Sequence, residues 1–342
     1  MVQAICKEAD LRKDYISEKV STIYFGGGTP SLLQIADLRL QIDTIRNLFS
    51  VDEHAEITLE TNPDDISTDK LKAWKDAGIN RLSIGVQSFF EEDLWWMNRA
   101  HNAEQALQSI KLAQQAGFDN ITIDLIYGTP TLSDEQWQQN VQTAIALNIP
   151  HLSCYALTVE PKTALDKMIA AKKMPPVDPE KQGRHFELLM QWLGEAGYEH
   201  YEISNFAKPG MHSKHNSSYW QGKPYLGLGP SAHSFNGHSR QWNIANNALY
   251  IKSIEGGVVP FEIEELTPTQ QLNEYIMTSL RTAEGLSLLW VEEKWGTLYA
   301  RLIEKEAAAF FVDGKAICQN GQIILTAKGK LFADGIAAEL FR

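Results

Sequence analysis

Cysteine is scarce in this chain: Cys6, Cys154 and Cys318 stand far apart and form no Cys-x-x-Cys pair. That spacing excludes a zinc knuckle, and an odd number of thiols excludes a closed disulfide framework. The three read as ordinary half-buried thiols in a reducing compartment. No apolar run reaches the roughly eighteen residues that mark a membrane-spanning helix. Met1 to Asp14 carry too much charge for a signal peptide, so the expected location is the cytoplasm. Positive charge is also in short supply. Lys and Arg number 31 against 43 Asp and Glu, a net charge of −12, which argues against general nucleic-acid binding. Membrane contact through a partner protein stays open. What is present is ordinary globular composition, 44% hydrophobic and 22% charged over 342 residues, enough for one large domain and a smaller one.

Val2, Ile5, Cys6 and Ala9 follow helical spacing, so a helix is expected at the very start of the chain, without a capping residue. Strands and helices then alternate. Strands are expected at Val20–Phe25, Glu56–Thr61, Arg81–Gly85, Ile121–Tyr127 and His151–Leu157. Helices are expected at about Ile35–Leu48, Thr68–Ala77, after Ser88, at Ala103–Ala116 and at Ser133–Leu147. Such alternation means a parallel sheet with crossover helices, either open and doubly wound or closed as a barrel. Polar punctuation falls at the C-terminal ends of the strands, where both architectures place their sites.

From Tyr198 the character changes. Five of the nine histidines, His200, His212, His215, His233 and His238, lie between Tyr198 and Trp242 among Gly, Ser, Asn and aromatics. The stretch reads as strand and loop laid over a site. Beyond it, helices are expected near Gln271–Thr282, Leu288–Trp295 and Leu298–Ala309, then a hairpin at Asn320–Gly321 and a helix near Lys328–Leu340. That order suggests a small, mainly helical, winged-helix-like domain. Its Glu262–Arg342 stretch holds eight Lys and Arg against twelve Asp and Glu, so packing or covering a substrate fits it better than binding DNA. The expected division is therefore residues 1–197, a strand-loop segment and linker at 198–261, and a C-terminal domain at 262–342.

Gly26-Gly27-Gly28-Thr29-Pro30 directly after a strand exposes backbone to a ligand, but it lacks the Lys-Ser/Thr of a phosphate-binding P-loop. It is followed by Thr58-Leu59-Glu60-Thr61-Asn62-Pro63, Gly85-Val86-Gln87-Ser88-Phe89, Asn98-Arg99 and Asp124-Leu125-Ile126-Tyr127-Gly128-Thr129-Pro130. In this order and spacing the series resembles radical S-adenosylmethionine (radical SAM) proteins of the oxygen-independent coproporphyrinogen III oxidase-like family, over essentially the whole chain. The resemblance implies a partial parallel (β/α) TIM-like barrel whose first strand is missing here. It also implies that Gly26, Gly27, Gly28 and Thr29 hold the methionyl amino group of S-adenosylmethionine, and that Glu60, Gln87, Arg99 and Asp124 contact that cofactor or a second copy of it. Asp124 shares a strand face with Thr122 and Ile126; a carboxylate there needs a partner, with Arg99 the candidate, directly or through a zwitterionic ligand.

The family carries a Cys-x3-Cys-x2-Cys loop whose thiolates hold a 4Fe–4S cluster. That loop is absent from this chain, and Cys6 alone cannot replace it. The uncapped first helix and the open edge left on the sheet favour a truncated chain over a natural loss of the cluster.

A second series, Ser213-Lys214-His215-Asn216-Ser217-Ser218-Tyr219-Trp220 followed by Tyr225 to Ser234, resembles the element of the family's haem-chaperone branch. Imidazole is a common haem ligand and aromatic faces suit a macrocycle. His215, Tyr219 and Trp220 are thus the haem candidates, with His212 and His233 as alternative ligands. The leading reading is a haem-binding chaperone that passes haem to acceptor haemoproteins, membrane-associated ones included. The alternatives are radical oxidative decarboxylation of coproporphyrinogen III, against which the absent cysteines argue for the chain as it stands, and a degenerate binding scaffold.

Overall fold

The computed structural model describes residues 1–342. Helix α1 (Val2–Leu11) leads into strand β1 (Val20–Phe25). Helix α2 (Ile35–Leu48), β2 (Val51–Thr61), α3 (Thr68–Asp76), β3 (Arg81–Gln87), α4 (Glu91–Trp96) and α5 (Ala103–Gln115) follow. Next come β4 (Ile121–Tyr127), α6 (Asp134–Ala146) and β5 (His151–Ala156). The five strands pair in parallel in sequence order, and the sheet curls into a half-barrel. Capping boxes at Asn102/Gln105 and Ser133/Gln136 start α5 and α6, and buried Leu, Ile, Val and Trp side chains fill the layer between helices and sheet.

Two helices, α7 (Ala164–Ala170) and α8 (Pro179–Glu195), add to the expected elements. The sheet also runs past residue 197: β6 (Glu199–Glu202) and β7 (Asn205–Ala207) form a hairpin whose β7 lies antiparallel to β5. Strand β2 starts five residues before its expected Glu56, because its exposed head reaches β1 only through an irregular register between Val20 and Thr22.

The histidine-rich stretch contains a short helix, α9 (Lys214–Trp220), then β8 (His233–Phe235) and β9 (Ser239–Asn243). After α10 (Asn247–Glu255), β10 (Phe261–Glu265) completes a three-stranded antiparallel sheet, beginning one residue before the expected boundary at 262.

The C-terminal part packs around its own apolar cluster. It comprises α11 (Pro268–Leu280), β11 (Leu286–Ser287), α12 (Leu288–Trp295), α13 (Thr297–Val312), the hairpin β12 (Ala316–Gln319) and β13 (Gln322–Leu325), α14 (Ala327–Lys330) and α15 (Ala333–Glu339). Asn320 and Gly321 both take positive φ, as a two-residue hairpin turn requires. The single helix expected near Lys328–Leu340 is broken in two. Gly329 presses on the Lys315 carbonyl, where a Cβ would lie 1.8 Å away, and the chain turns at Phe332. This part joins the half-barrel through the Ile203 N–H donating to Arg281 O and the Ala283 N–H donating to Tyr201 O. No helix is long and apolar enough to cross a membrane.

Helix α1 starts uncapped, as expected, but its buried face is Ala4, Glu8 and Ala9 rather than a purely apolar stripe. The fully buried Glu8 carboxylate accepts hydrogen bonds from Tyr250 Oη (2.6 Å), Asn243 Nδ2 (2.7 Å) and Gly229 N (2.8 Å), and Arg12 lies 3.4 Å away. Burial of a charge is tolerable because every lone pair is used. The helix is thereby pinned against β9 and α10, across the open edge of β1.

Candidate functional site

Alternation along β1 puts Thr22 and Tyr24 on one face, just before the glycine turn. Tyr24 Oη donates to Glu60 Oε1 at 2.7 Å, and Gly27 N donates to Glu60 Oε2 at 3.1 Å. Glu60, at the end of β2, therefore ties the turn to the strand that precedes it. A Cβ on Gly26 would sit 2.7 Å from Tyr24 Cε1 and 3.0 Å from Glu60 Oε1, so this close approach requires glycine. Gly27 and Gly28 take φ of 73° and 66° with open space beside them.

Gln87 ends β3 with φ of 66°, a conformation that costs a non-glycine residue strain and recurs at ligand sites. Arg99 does not pair with Asp124. Its Nη2 donates to Asn62 Oδ1 at 2.9 Å, while its buried Nε has no partner. The Arg99 side chain thus reaches the strand ends from the loop after α4, with donor capacity to spare. Asp124 lies on the concave face of the sheet, in a small polar cavity of about 100 Å³ shared with Glu60, Arg81, Tyr24 and Ser153. Burial first, and then the Glu60 charge, push its carboxyl up to about 7; a Ser153 hydrogen bond and the charges of Arg99 and Arg81 pull the other way.

Helix α9 is held by tertiary contacts. Ser213 caps it, and the buried Glu56 carboxylate accepts from the backbone N–H groups of Lys214 (3.2 Å) and His215 (3.1 Å) while facing Arg81 at 3.8 Å. The His215 ring stacks on Tyr24, with centroids 4.4 Å apart and planes at 14°, and its Nδ1 shares a hydrogen bond of 3.1 Å with Thr22 Oγ1. Its Nε2 has no partner within the chain. Burial, helped by Arg81, holds the imidazole down at about 4, so it is neutral at physiological pH. Tyr219 meets His215 edge-on at 5.0 Å.

His215 and Tyr219 line a cavity of about 910 Å³ enclosed by the free edge of β1, by α1 and α2, and by residues 223–233. Its size falls in the range of cofactor pockets. His233 lies on the same wall, beside Trp242. The other candidates are elsewhere. Trp220 turns away under the Arg281 guanidinium, and His212 stacks on Tyr201 with Nε2 bound to Glu199 at 2.7 Å. Sequence reading missed Thr22, Tyr24, Glu56 and Lys223; Lys223 puts an exposed ammonium at the cavity rim. The period-2 alternation of β1 was the available signal for Thr22 and Tyr24.

The donor sets differ in what they fit. A neutral imidazole with a free nitrogen beside flat rings fits haem. The glycine turn with Glu60 fits a ligand ammonium, because a carboxylate has acceptor sites to spare. A 4Fe–4S cluster needs three thiolates, whereas only Cys6 lines the cavity, Cys154 is buried with its thiol pushed up by desolvation, and Cys318 lies on β12. The residues present do not fit the cluster.

Residues 7–144 match the model of the radical SAM superfamily. The chain is 34% identical to heme chaperone HemW of Bacillus subtilis (strain 168), over 93% of this chain and 84% of that protein. It is 33% identical to heme chaperone HemW of Mycobacterium tuberculosis (strain ATCC 25618 / H37Rv), over 94% and 80%. Among solved structures it is similar to coproporphyrinogen III oxidase (HemN) from Escherichia coli, described as a radical SAM enzyme. The TM-score there is 0.85 at 25% identity, covering 99% of this chain and 82% of that one.

Proposed function

Because the chain belongs to the heme chaperone HemW family of radical SAM proteins, we propose that it binds haem in the large cavity and hands it on to acceptor haemoproteins in the cytoplasm. One observation carries this reading: His215 is neutral, clamped on Nδ1 and on its ring face, and leaves Nε2 unpartnered at the wall of an aromatic-lined cavity. A ligand to iron must offer a lone pair and hold a fixed plane, and Thr22 and Tyr24 supply both conditions. Tyr219 adds a flat face beside the imidazole, and Lys223 at the rim suits the carboxylates of a haem propionate. His233, on the same wall, is the second candidate ligand.

S-Adenosylmethionine is assigned to the glycine turn, where it supplies a sulfonium and an amino-acid head group. Glu60 would accept from its ammonium, with the Gly26–Thr29 backbone beside it. Gln87, Arg99 and Asp124 line the same end of the sheet, and the spare donors of Arg99 suit a carboxylate.

The test is a haem titration of the purified chain followed by its Soret band, beside His215→Ala, with circular dichroism confirming that both are folded. Saturable binding that weakens at least tenfold in the variant supports the reading. Equal binding moves the ligand to His233, and no binding by the folded parent sinks it. The likeness to coproporphyrinogen III oxidase favours a second reading, porphyrinogen oxidation. Anaerobic conversion of coproporphyrinogen at an enzymatic rate would establish that instead.

A further inference from the structure

Three residues, Tyr24, Glu60 and Asn216, line both the large cavity and the small polar one, and two of them touch each other. Tyr24 is gripped at both ends. Its hydroxyl donates to Glu60 Oε1 at 2.7 Å, and its ring face seats the His215 imidazole at 4.4 Å. Its ring edge packs so closely on Gly26 that no Cβ fits between them. The phenol is held protonated by burial and by the neighbouring Glu60 charge, so it can only donate in this bond. Glu60 in turn holds the glycine turn through Gly27 N at 3.1 Å. A continuous contact path thus runs from the turn, through one carboxylate and one phenol, to the imidazole.

We propose that Tyr24 is the positioning residue that couples the two cavities: anchored by Glu60, it seats His215 for haem, and a cationic ligand that engages Glu60 at the glycine turn loosens that seat and lowers haem affinity. The proposal rests on the haem reading above. A charged ammonium binds a carboxylate more strongly than a neutral phenol does, so when it takes the spare acceptor sites of Glu60 it draws the carboxylate toward the turn and stretches the Tyr24 bond. Once its anchor weakens, the ring is free to rotate off the imidazole plane. Linkage makes the effect reciprocal, so haem weakens the cationic ligand by the same factor. Thr22 keeps its hold on Nδ1 throughout, so the imidazole is displaced rather than lost.

The experiment is a double-mutant cycle read by haem titration, with Tyr24→Phe, Glu60→Gln and the double variant in the full chain. Tyr24→Phe keeps the stacking ring and removes the anchored hydroxyl; Glu60→Gln keeps the shape and removes the charge. Each single variant is expected to weaken haem by about three- to tenfold, the scale of one hydrogen bond, and the double variant no more than either single one. Changes in the Soret maximum should follow the same pattern, which a purely structural role would not produce. A further arm titrates haem with and without saturating S-adenosylmethionine; the parent should lose affinity and Tyr24→Phe should not. Additive single effects, or unchanged haem affinity in both single variants, overturn the coupling while leaving the haem site standing. A parent that binds haem with the same affinity at saturating S-adenosylmethionine overturns it as well. A folded parent with no Soret response overturns the haem reading itself.

Discussion

The Trp220 indole lies under the guanidinium of Arg281, 5.3 Å from ring centroid to Cζ, joining the helix that carries His215 to the C-terminal part of the chain. Arg281 also donates to Asp334 on α15, and its backbone carbonyl accepts from Ile203 N at the edge of the half-barrel. One arginine thus fastens α9, β6 and the C-terminal helices together. Arg281→Ala should lower unfolding free energy by about 1–2 kcal/mol, through lost cation–π and ion-pair contacts. Denaturant titration with a tryptophan signal checks it. Faster amide exchange should spread to α9, and unchanged exchange there would show that the contact does not hold the helix.

Protonation of His215 opposes the native state. Its folded value near 4 lies below the ordinary 6.5, so between those values the unfolded chain binds the extra proton. Its contribution to stability is therefore complete above about pH 6.5 and is lost as pH falls toward 4, on the order of 3 kcal/mol. His215→Gln should flatten stability over that window. Urea titrations at several pH values measure it, and an equally steep fall in the variant would assign the effect elsewhere.

Asp124 has the opposite sign. Its carboxyl is raised to about 7, so the native state holds the proton between the unfolded value and 7, and stability falls as pH rises through that range. Asp124→Asn should gain on the order of 4 kcal/mol at pH 8 and nothing at pH 3. If the variant is less stable than the parent at pH 8, the carboxylate is better compensated than its surroundings indicate.

Glu8 is the fastening point of the first helix. Glu8→Ala strands Asn243, Tyr250 and Arg12 around an empty space, so a loss of about 3–5 kcal/mol is expected. Ile5 and Cys6 leave the cavity wall with α1, so haem affinity should fall together with stability. Limited proteolysis near residues 11–19 reports the detachment. Resistance equal to the parent would mean that α10 holds α1 without the carboxylate.

Lys223 should matter only to charged porphyrins. Lys223→Glu is expected to weaken haem by about three- to tenfold and haem dimethyl ester hardly at all. Equal effects on both would place the ammonium away from the propionates.

Much of this was legible in the sequence because local chemistry agreed with the fold. Strands β3 and β4 are short β-rich runs bounded by turn residues, and Ser133 and Asn102 announce their helices through capping boxes. The glycine turn declared a close approach, and the structure gives that approach an object in Tyr24. What could not be read depends on residues distant in sequence. Helix α9 contains Asn and two Ser, poor helix formers, and forms where the Glu56 carboxylate takes its first amides. Of the two expected ways for Arg99 to partner Asp124, the direct pair is not formed, because Asn62 Oδ1 takes the guanidinium at 2.9 Å. Trp220 sits one residue beyond Tyr219, and on a helix that step of about 100° takes it off the cavity wall. The role of Glu8 was not legible either, because its partners Gly229, Asn243 and Tyr250 lie more than two hundred residues downstream and only Arg12 is near in sequence.

Strand β1 pairs on one side only, and its other side forms a wall of the large cavity. Backbone groups that could recruit a strand from another molecule therefore sit inside the pocket that receives the ligand. A ligand seated there would cover those groups, so light scattering over time in a concentrated solution is expected to be lower with the pocket filled than empty.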